Sequence, residues 1–173
     1  MEFFAGKSLY HWLINCLKPV DFAESVARKV FQQICEGLCH MHSRGILHRD
    51  IKLDNILAAQ DPENPNVCHT KIIDFGFATL LFKGQTSSLT VGSLAFLSPE
   101  ILNKQPHDAR TDVWSLGIVF FNILSGRMPF IEQTPQKTIV NIKYKELNFQ
   151  QPCWAKVSQL GKDLVGKMLA KKV

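Results

Sequence analysis

From Thr111 to Ser125 the chain reads TDVWSLGIVFFNILS, apolar on nearly every side of a helix. A surface helix keeps one polar face, whereas a helix that is apolar all round must be buried among other elements. Gly126 stops this helix and Pro129 prevents its resumption. The remaining chain must therefore wrap a central helix. The longest unbroken apolar run, Leu116 to Phe121, falls far short of the roughly 20 residues of a membrane span. A length of 173 residues suits one domain, and 46% hydrophobic residues suffice for a real core.

Other segments supply the wrapping. Between Asp21 and His42, Val26, Val30, Ile34 and Leu38, with Ala27, Phe31, Cys35 and Cys39, form a broad apolar face at helical spacing. Asp21 with Glu24 has the pattern of a capping box, and Gly45 ends the segment. Short β-like runs follow at Ile46-Leu47, Ile56-Leu57 and Lys71-Ile72-Ile73, the last two separated by the exposed turn AAQDPENPNVCHT. The Gly- and Ser/Thr-rich stretch from Lys83 to Ser93 predicts a mobile loop, and Pro135–Tyr144 and Ser158–Lys171 predict two amphipathic helices. The fold class is mainly α with a few short β-strands.

The net charge of +5 comes from scattered basic residues with no long run, so no nucleic-acid partner is expected. No membrane partner is expected either, and MEFFAGKSLYHWL lacks the marks of a signal peptide. Five irregularly spaced cysteines argue against a disulfide framework and for a reducing, cytoplasmic setting. Cys35 and Cys39, near His40 and His42, fit a buried helix stripe better than a metal site.

The segment ILHRDIKLDNIL places His48, Arg49, Asp50, Lys52 and Asn55 between two apolar pairs. A loop pinned at both ends by buried residues holds its polar tips in fixed places. Farther on come DFG at Asp74-Phe75-Gly76 and SPE at Ser98-Pro99-Glu100, then DVWSLGIVFFNILSGRMPF. Each motif alone is weak, but their order and spacing together are specific. The sequence resembles the eukaryotic protein kinases over essentially all of its length. IDFGFA and GSLAF lean toward the calcium/calmodulin-dependent and related groups, and Lys52 resembles Ser/Thr-specific members.

The resemblance implies transfer of the ATP γ-phosphoryl group to Ser/Thr hydroxyls of a protein substrate, with Asp50 as catalytic base and Lys52 as charge stabiliser. It implies that Asn55 and Asp74 bind Mg2+ with ATP, magnesium being a hard cation that prefers oxygen ligands. Adenine would lie between the backbone from Glu2 to Phe4 and the side chain of Leu57. His48 and Phe75 would pack inward, Gly76 would let the chain turn after Asp74, and Asp112 would bond the loop backbone or cap its helix. Arg49 would pair with an activating phosphate on Ser88 or Thr90, because Leu89 fills the usual acceptor position.

Some features depart from the family. MEFFAG resembles the hinge between the two kinase lobes, and no G-x-G occurs among the ten glycines. The chain thus resembles the hinge and large C-terminal lobe, residues 1–173 forming a partial kinase domain with the N-terminal β-lobe missing. Alone it is expected to be inactive and prone to self-association, through apolar residues near Phe3, Phe4, Leu57 and Ile73. Glu100 would be a buried carboxylate without the arginine that follows in the family. A non-catalytic kinase-like scaffold, binding a regulatory protein or a small lobe, is the alternative.

Overall fold

The computed structural model describes residues 4–16, 24–61 and 68–171. About half of it is helical, with five short strands. The central helix, α4 (Arg110–Ser125), buries most of its length, leaving Val113 at one exposed edge. Gly126 closes it in the left-handed conformation (φ 68°), its N–H bonding the Asn122 carbonyl 2.8 Å away.

Around α4 pack α2 (Glu24–Ser43) and α6 (Gln159–Met168), and α5 (Pro135–Tyr144) buries Ile142 in the same core. Phe31 of α2 stacks on Phe120 of α4 with centroids 4.0 Å apart. Gly117 lets α6 approach closely, since a Cβ there would lie 2.9 Å from Leu169 and Met168 side-chain atoms. The buried face of α2 is Ala27, Val30, Phe31, Ile34, Leu38 and Met41. Cys39 leaves the predicted stripe and is exposed. The Asp21 half of the predicted capping box lies outside the described residues. Glu24 turns its carboxylate to Ser158, whose N–H and hydroxyl both donate to it. Two helix N-termini are thereby tied together.

At the N-terminal end α1 (Leu9–Cys16) follows β1 (Lys7–Ser8), a helix that apolar periodicity does not announce. Ser8 Oγ accepts the His11 N–H at 3.2 Å, the geometry of an N-cap. A single short turn, α3 (Pro99–Leu102), also escaped the periodicity.

Two small antiparallel sheets frame the loop at residues 48–55. In one, β3 (Ile56–Gln60) lies between β1 and β4 (Cys68–Ile72), with Leu57 opposite both Ser8 and Lys71. The strands run deeper into the predicted turn than expected, taking in Ala58–Gln60 and Cys68–Thr70. In the other, β2 (Ile46–Leu47) pairs with β5 (Thr79–Leu80). So β2 delivers the chain into the loop and β3 carries it out. Among the described residues no helix is long and apolar enough to cross a membrane, and no metal-binding cluster of His, Cys, Asp and Glu is present.

Candidate active site

The loop is nailed down by alternating apolar residues: Leu47, Ile51, Leu53 and Ile56 are all buried. Their intervening polar neighbours are thus forced to find partners. His48 is 0% exposed. Its Nε2 lies 2.9 Å from the Ile73 carbonyl, and its Nδ1 accepts the Asp50 N–H at 3.3 Å. Those partners suit an Nε2–H that donates to the Ile73 carbonyl and an Nδ1 that accepts.

Arg49 occupies the left-handed region at φ 67°, a conformation that a non-glycine residue keeps only when its surroundings impose it. The imposing group is Asp112, fully buried in the first turn of α4. Its Oδ1 accepts the Arg49 N–H at 2.8 Å, and its Oδ2 accepts the His48 N–H at 2.9 Å. The helix N-cap is Ala109 instead. His42, at the end of α2, also lies 2.9 Å from Asp112 Oδ2, a partner that sequence reading missed.

Asp50 is 3% exposed and uses both carboxylate oxygens. Oδ2 accepts from Lys52 Nζ at 2.7 Å and from Asn55 Nδ2 at 3.0 Å. Oδ1 accepts from the N–H and the hydroxyl of Ser93, each at 3.0 Å. Lys52 Nζ also donates to Ser93 Oγ at 3.0 Å. Burial raises the Asp50 pKa, but the bonds from Lys52 and Ser93 outweigh it and hold the carboxyl below its ordinary range. At neutral pH the group is an oriented, ionised acceptor.

Ser93 is the functional candidate that motif reading overlooked, since it lay in a stretch predicted to be mobile. The signal is Gly92 before it. At φ 104°, Gly92 passes so near the loop that a Cβ would lie 2.5 Å from the Arg49 carbonyl oxygen. Only glycine permits that approach, and the approach delivers Ser93 to Asp50.

The DFG segment departs from expectation in two ways. The sharp turn is at Asp74 itself (φ 63°), while Gly76 is not among the positive-φ residues. Gly76 instead donates its N–H to Asp74 Oδ1 at 3.2 Å, and a Cβ there would sit 3.1 Å from that oxygen. Phe75 does not pack inward. Its ring lies tilted beside the His48 ring, 5.2 Å between centroids, yet stays 50% exposed.

Asn55 spends its Nδ2 on the Asp50 carbonyl and on Asp50 Oδ2, which leaves its amide oxygen as an acceptor. Ile73, the neighbour of Asp74, donates its N–H to the Asn55 carbonyl at 2.9 Å. Asn55 and Asp74 therefore come from directly bonded segments, and both offer hard oxygen donors that suit magnesium. Phe4 and Leu57 are half-buried, on and beside the three-stranded sheet, with Lys71 Nζ 5.6 Å from the Phe4 ring centroid. Glu2 lies outside the described residues. Ser88 and Thr90 are exposed, and no hydrogen bond joins either to Arg49 among the described residues. Arg49 Nε donates to the Phe77 carbonyl. Glu100 is half-buried rather than buried. It opens α3 at the surface, where water and the charge of Arg110 both reach it.

The whole chain, residues 1–173, matches the protein kinase domain family. Among known proteins it is 33% identical over 170 residues to a titin homolog of Caenorhabditis elegans, covering 98% of this chain and 1% of that protein. It is 32% identical to death-associated protein kinase 2 of Homo sapiens, over 99% of this chain and 45% of the relative. A probable myosin light chain kinase of Dictyostelium discoideum is 29% identical over 99% of the chain and 47% of its own length. The chain thus spans under half the length of these relatives. It belongs to the protein kinase domain family.

Proposed function

We propose that residues 1–173 form the hinge and C-terminal lobe of a Ser/Thr protein kinase, which transfers the ATP γ-phosphoryl group to a protein hydroxyl in a cytoplasmic setting. The observation that carries this reading is the closed net of Asp50, Lys52, Asn55 and Ser93. Asp50 orients the attacking hydroxyl and takes its proton on a carboxylate oxygen. Its four donors hold the carboxylate in one pose, so little reorganisation accompanies the step. Lys52 sets a positive charge beside Asp50, ready for the oxygens of the transferred group. Asn55 and Asp74 would hold magnesium, which when bound neutralises charge on the nucleotide phosphates.

These residues contain no G-x-G loop. In this reading the nucleotide phosphates are clamped by groups other than a glycine-rich loop of these residues. Arg49 gives its Nε–H to Phe77 and keeps its terminal N–H groups for an anion, so an activating phosphate on Ser88 or Thr90 belongs to this reading.

The test is transfer of radiolabelled phosphate from ATP to Ser/Thr peptides by the full polypeptide that carries this chain. Asp50→Asn and Asp74→Ala should each remove most of the transfer. Transfer that survives Asp50→Asn would refute the assignment of the base. No transfer by the parent polypeptide under any activating condition would favour a non-catalytic scaffold.

A further inference from the structure

A cavity of about 780 Å³ opens between the end of α2, the segment after β5 and the start of α4. Asp50, Asn55 and Asp74 take no part in its lining. Cations reach it from all three sides: Arg44 just past α2, Lys83, and Arg110 in the first turn of α4. Among the described residues Asp108 is the single carboxylate on its wall, so with His42 neutral the wall carries a net two positive charges. Arg44 uses one terminal nitrogen on His40, 3.0 Å from Nδ1 and 3.3 Å from the carbonyl. Arg110 spends Nε on Asp108 Oδ1 at 3.0 Å. A guanidinium has five N–H donors, so each keeps several for a carboxylate, which it can grip with two parallel bonds. Among the described residues no ion pair occupies Arg44 or Lys83.

The same cavity has an apolar side. Phe82 is 60% exposed and Leu81 is half-buried, and both line it. Their places are fixed. The Leu81 N–H donates to the Gly45 carbonyl at 2.7 Å. Gly45, at φ 70°, runs so close to the Phe82 ring that a Cβ there would lie 3.3 Å from it. Gln85 donates its N–H to the Phe82 carbonyl and accepts the Phe82 N–H on its side chain, both at 2.9 Å. Farther on, Ser87 exchanges both backbone hydrogen bonds with His107, at 2.8 and 2.9 Å. Walls that keep their spacing before a partner arrives lower the cost of binding. Arginines and an aromatic ring in one pocket are also the side chains that most often anchor protein interfaces.

We propose that this cavity docks an acidic segment of a partner protein, with one bulky apolar side chain against Leu81 and Phe82 and flanking carboxylates on Arg44, Lys83 and Arg110. The charge of the wall selects the occupant: carboxylates meet cations that have spare donors, while a basic segment is repelled. A second copy of this chain is a poor match, since it brings a net charge of +5. The contact is non-covalent and needs no modification of the chain. It joins the end of α2, the segment after β5 and the start of α4 through one ligand. It does not depend on phosphoryl transfer at Asp50.

The experiment selects a phage-displayed library of random short peptides on the full polypeptide, and discards those that also bind its Arg44→Ala/Arg110→Ala double variant. The peptides that remain should place aspartate or glutamate on both sides of a large apolar residue. Synthetic copies are then titrated by fluorescence anisotropy. The double variant should bind them about tenfold more weakly or worse, and so should the parent when the peptide carboxylates are replaced by amides. Affinity should also fall as salt is added. A selection that enriches no peptide, enriched peptides without acidic residues, or equal affinity for the parent and a folded double variant would each overturn the docking site. Lys83→Glu, at an exposed position, covers a double variant that fails to fold: it should weaken binding as well, and unchanged affinity overturns the site equally. Sedimentation of parent and variants separates the remaining occupant. Self-association that disappears on Lys83→Glu would assign the cavity to a second copy and overturn the partner segment.

Discussion

Ser93 donates both its backbone N–H and its hydroxyl to the same oxygen of Asp50, each at 3.0 Å, from 43 residues away in the chain. The hydroxyl also receives Lys52, so one oxygen atom couples the proposed base to the proposed charge stabiliser. A hydrogen bond to a charged group contributes about 1.5–3 kcal/mol, which converts to roughly ten- to hundredfold in rate. Ser93→Ala should lower turnover of the full polypeptide by that factor, whereas Ser93→Thr should keep most of it. Equal loss in both variants would mean that space, not the hydroxyl, matters there.

Asp112 gathers two backbone N–H groups and His42 around one buried carboxylate. Asp112→Asn keeps the shape but turns one acceptor into a donor that faces another donor. We expect a loss of about 3 kcal/mol, the scale of a broken buried pair, measured by urea denaturation. His42→Ala should cost less, because both backbone bonds survive. A loss below about 1 kcal/mol for Asp112→Asn, the net worth of a single ordinary hydrogen bond, would show that Arg49 holds its left-handed conformation without it.

The link between Glu24 and Ser158 predicts a pH signature. Hydrogen bonds from the Ser158 hydroxyl and then its backbone N–H hold the Glu24 carboxyl below its ordinary value of 4.5, against a smaller opposing effect of burial. A group with a depressed folded pKa stabilises above its unfolded value, and that contribution fades as pH falls through the folded value. The stability gap between the parent and Glu24→Gln should therefore be full at pH 6 to 7 and close progressively below pH 4.5. A gap that stays constant down to acid pH would contradict this. Ser158→Ala, which also removes the N-cap bond to Gly161 at 3.1 Å, should cost about 0.5–2 kcal/mol.

Residues 1–173 expressed by themselves should transfer almost nothing, because positioning is worth about 7–11 kcal/mol of barrier and they contain no G-x-G motif of the kind that covers nucleotide phosphates in protein kinases. They should also self-associate, since Phe75, Phe77, Leu80 and Phe82 are large apolar side chains facing solvent. Turnover of about 1–100 per second, the common kinase range, and lost in Asp74→Ala, would disprove the first statement. A sharp monomeric peak in size-exclusion chromatography would disprove the second.

Periodicity announced the elements with long one-sided or all-round apolar patterns. Pro135–Tyr144 coincides with α5, and Thr111–Ser125 misses α4 by one residue. It failed where elements are too short to repeat a pattern, as in α1 and α3, and where strand residues such as His69 and Thr70 are polar. In the candidate site, neighbours in sequence were legible as a group: Asp50, Lys52 and Asn55 do share one carboxylate's surroundings. Partners set by the fold were not. Nothing local in Ser93 or His42 says which acidic group it meets, and nothing local says that Asp74 rather than Gly76 takes the left-handed turn. Gly92 before Ser93 was the one readable hint.

Because Asp112 belongs to the buried helix α4, the amides of His48 and Arg49 cannot open unless that helix end moves. In hydrogen–deuterium exchange these two amides should rank with the slowest core amides of α4, exchanging only in near-global unfolding events. The segment that carries Ser88 and Thr90 should exchange orders of magnitude sooner. The Asp50 carboxylate thus sits at a boundary between time regimes, with one oxygen bonded to the frozen 48–55 loop and the other to Ser93 at the end of the faster segment.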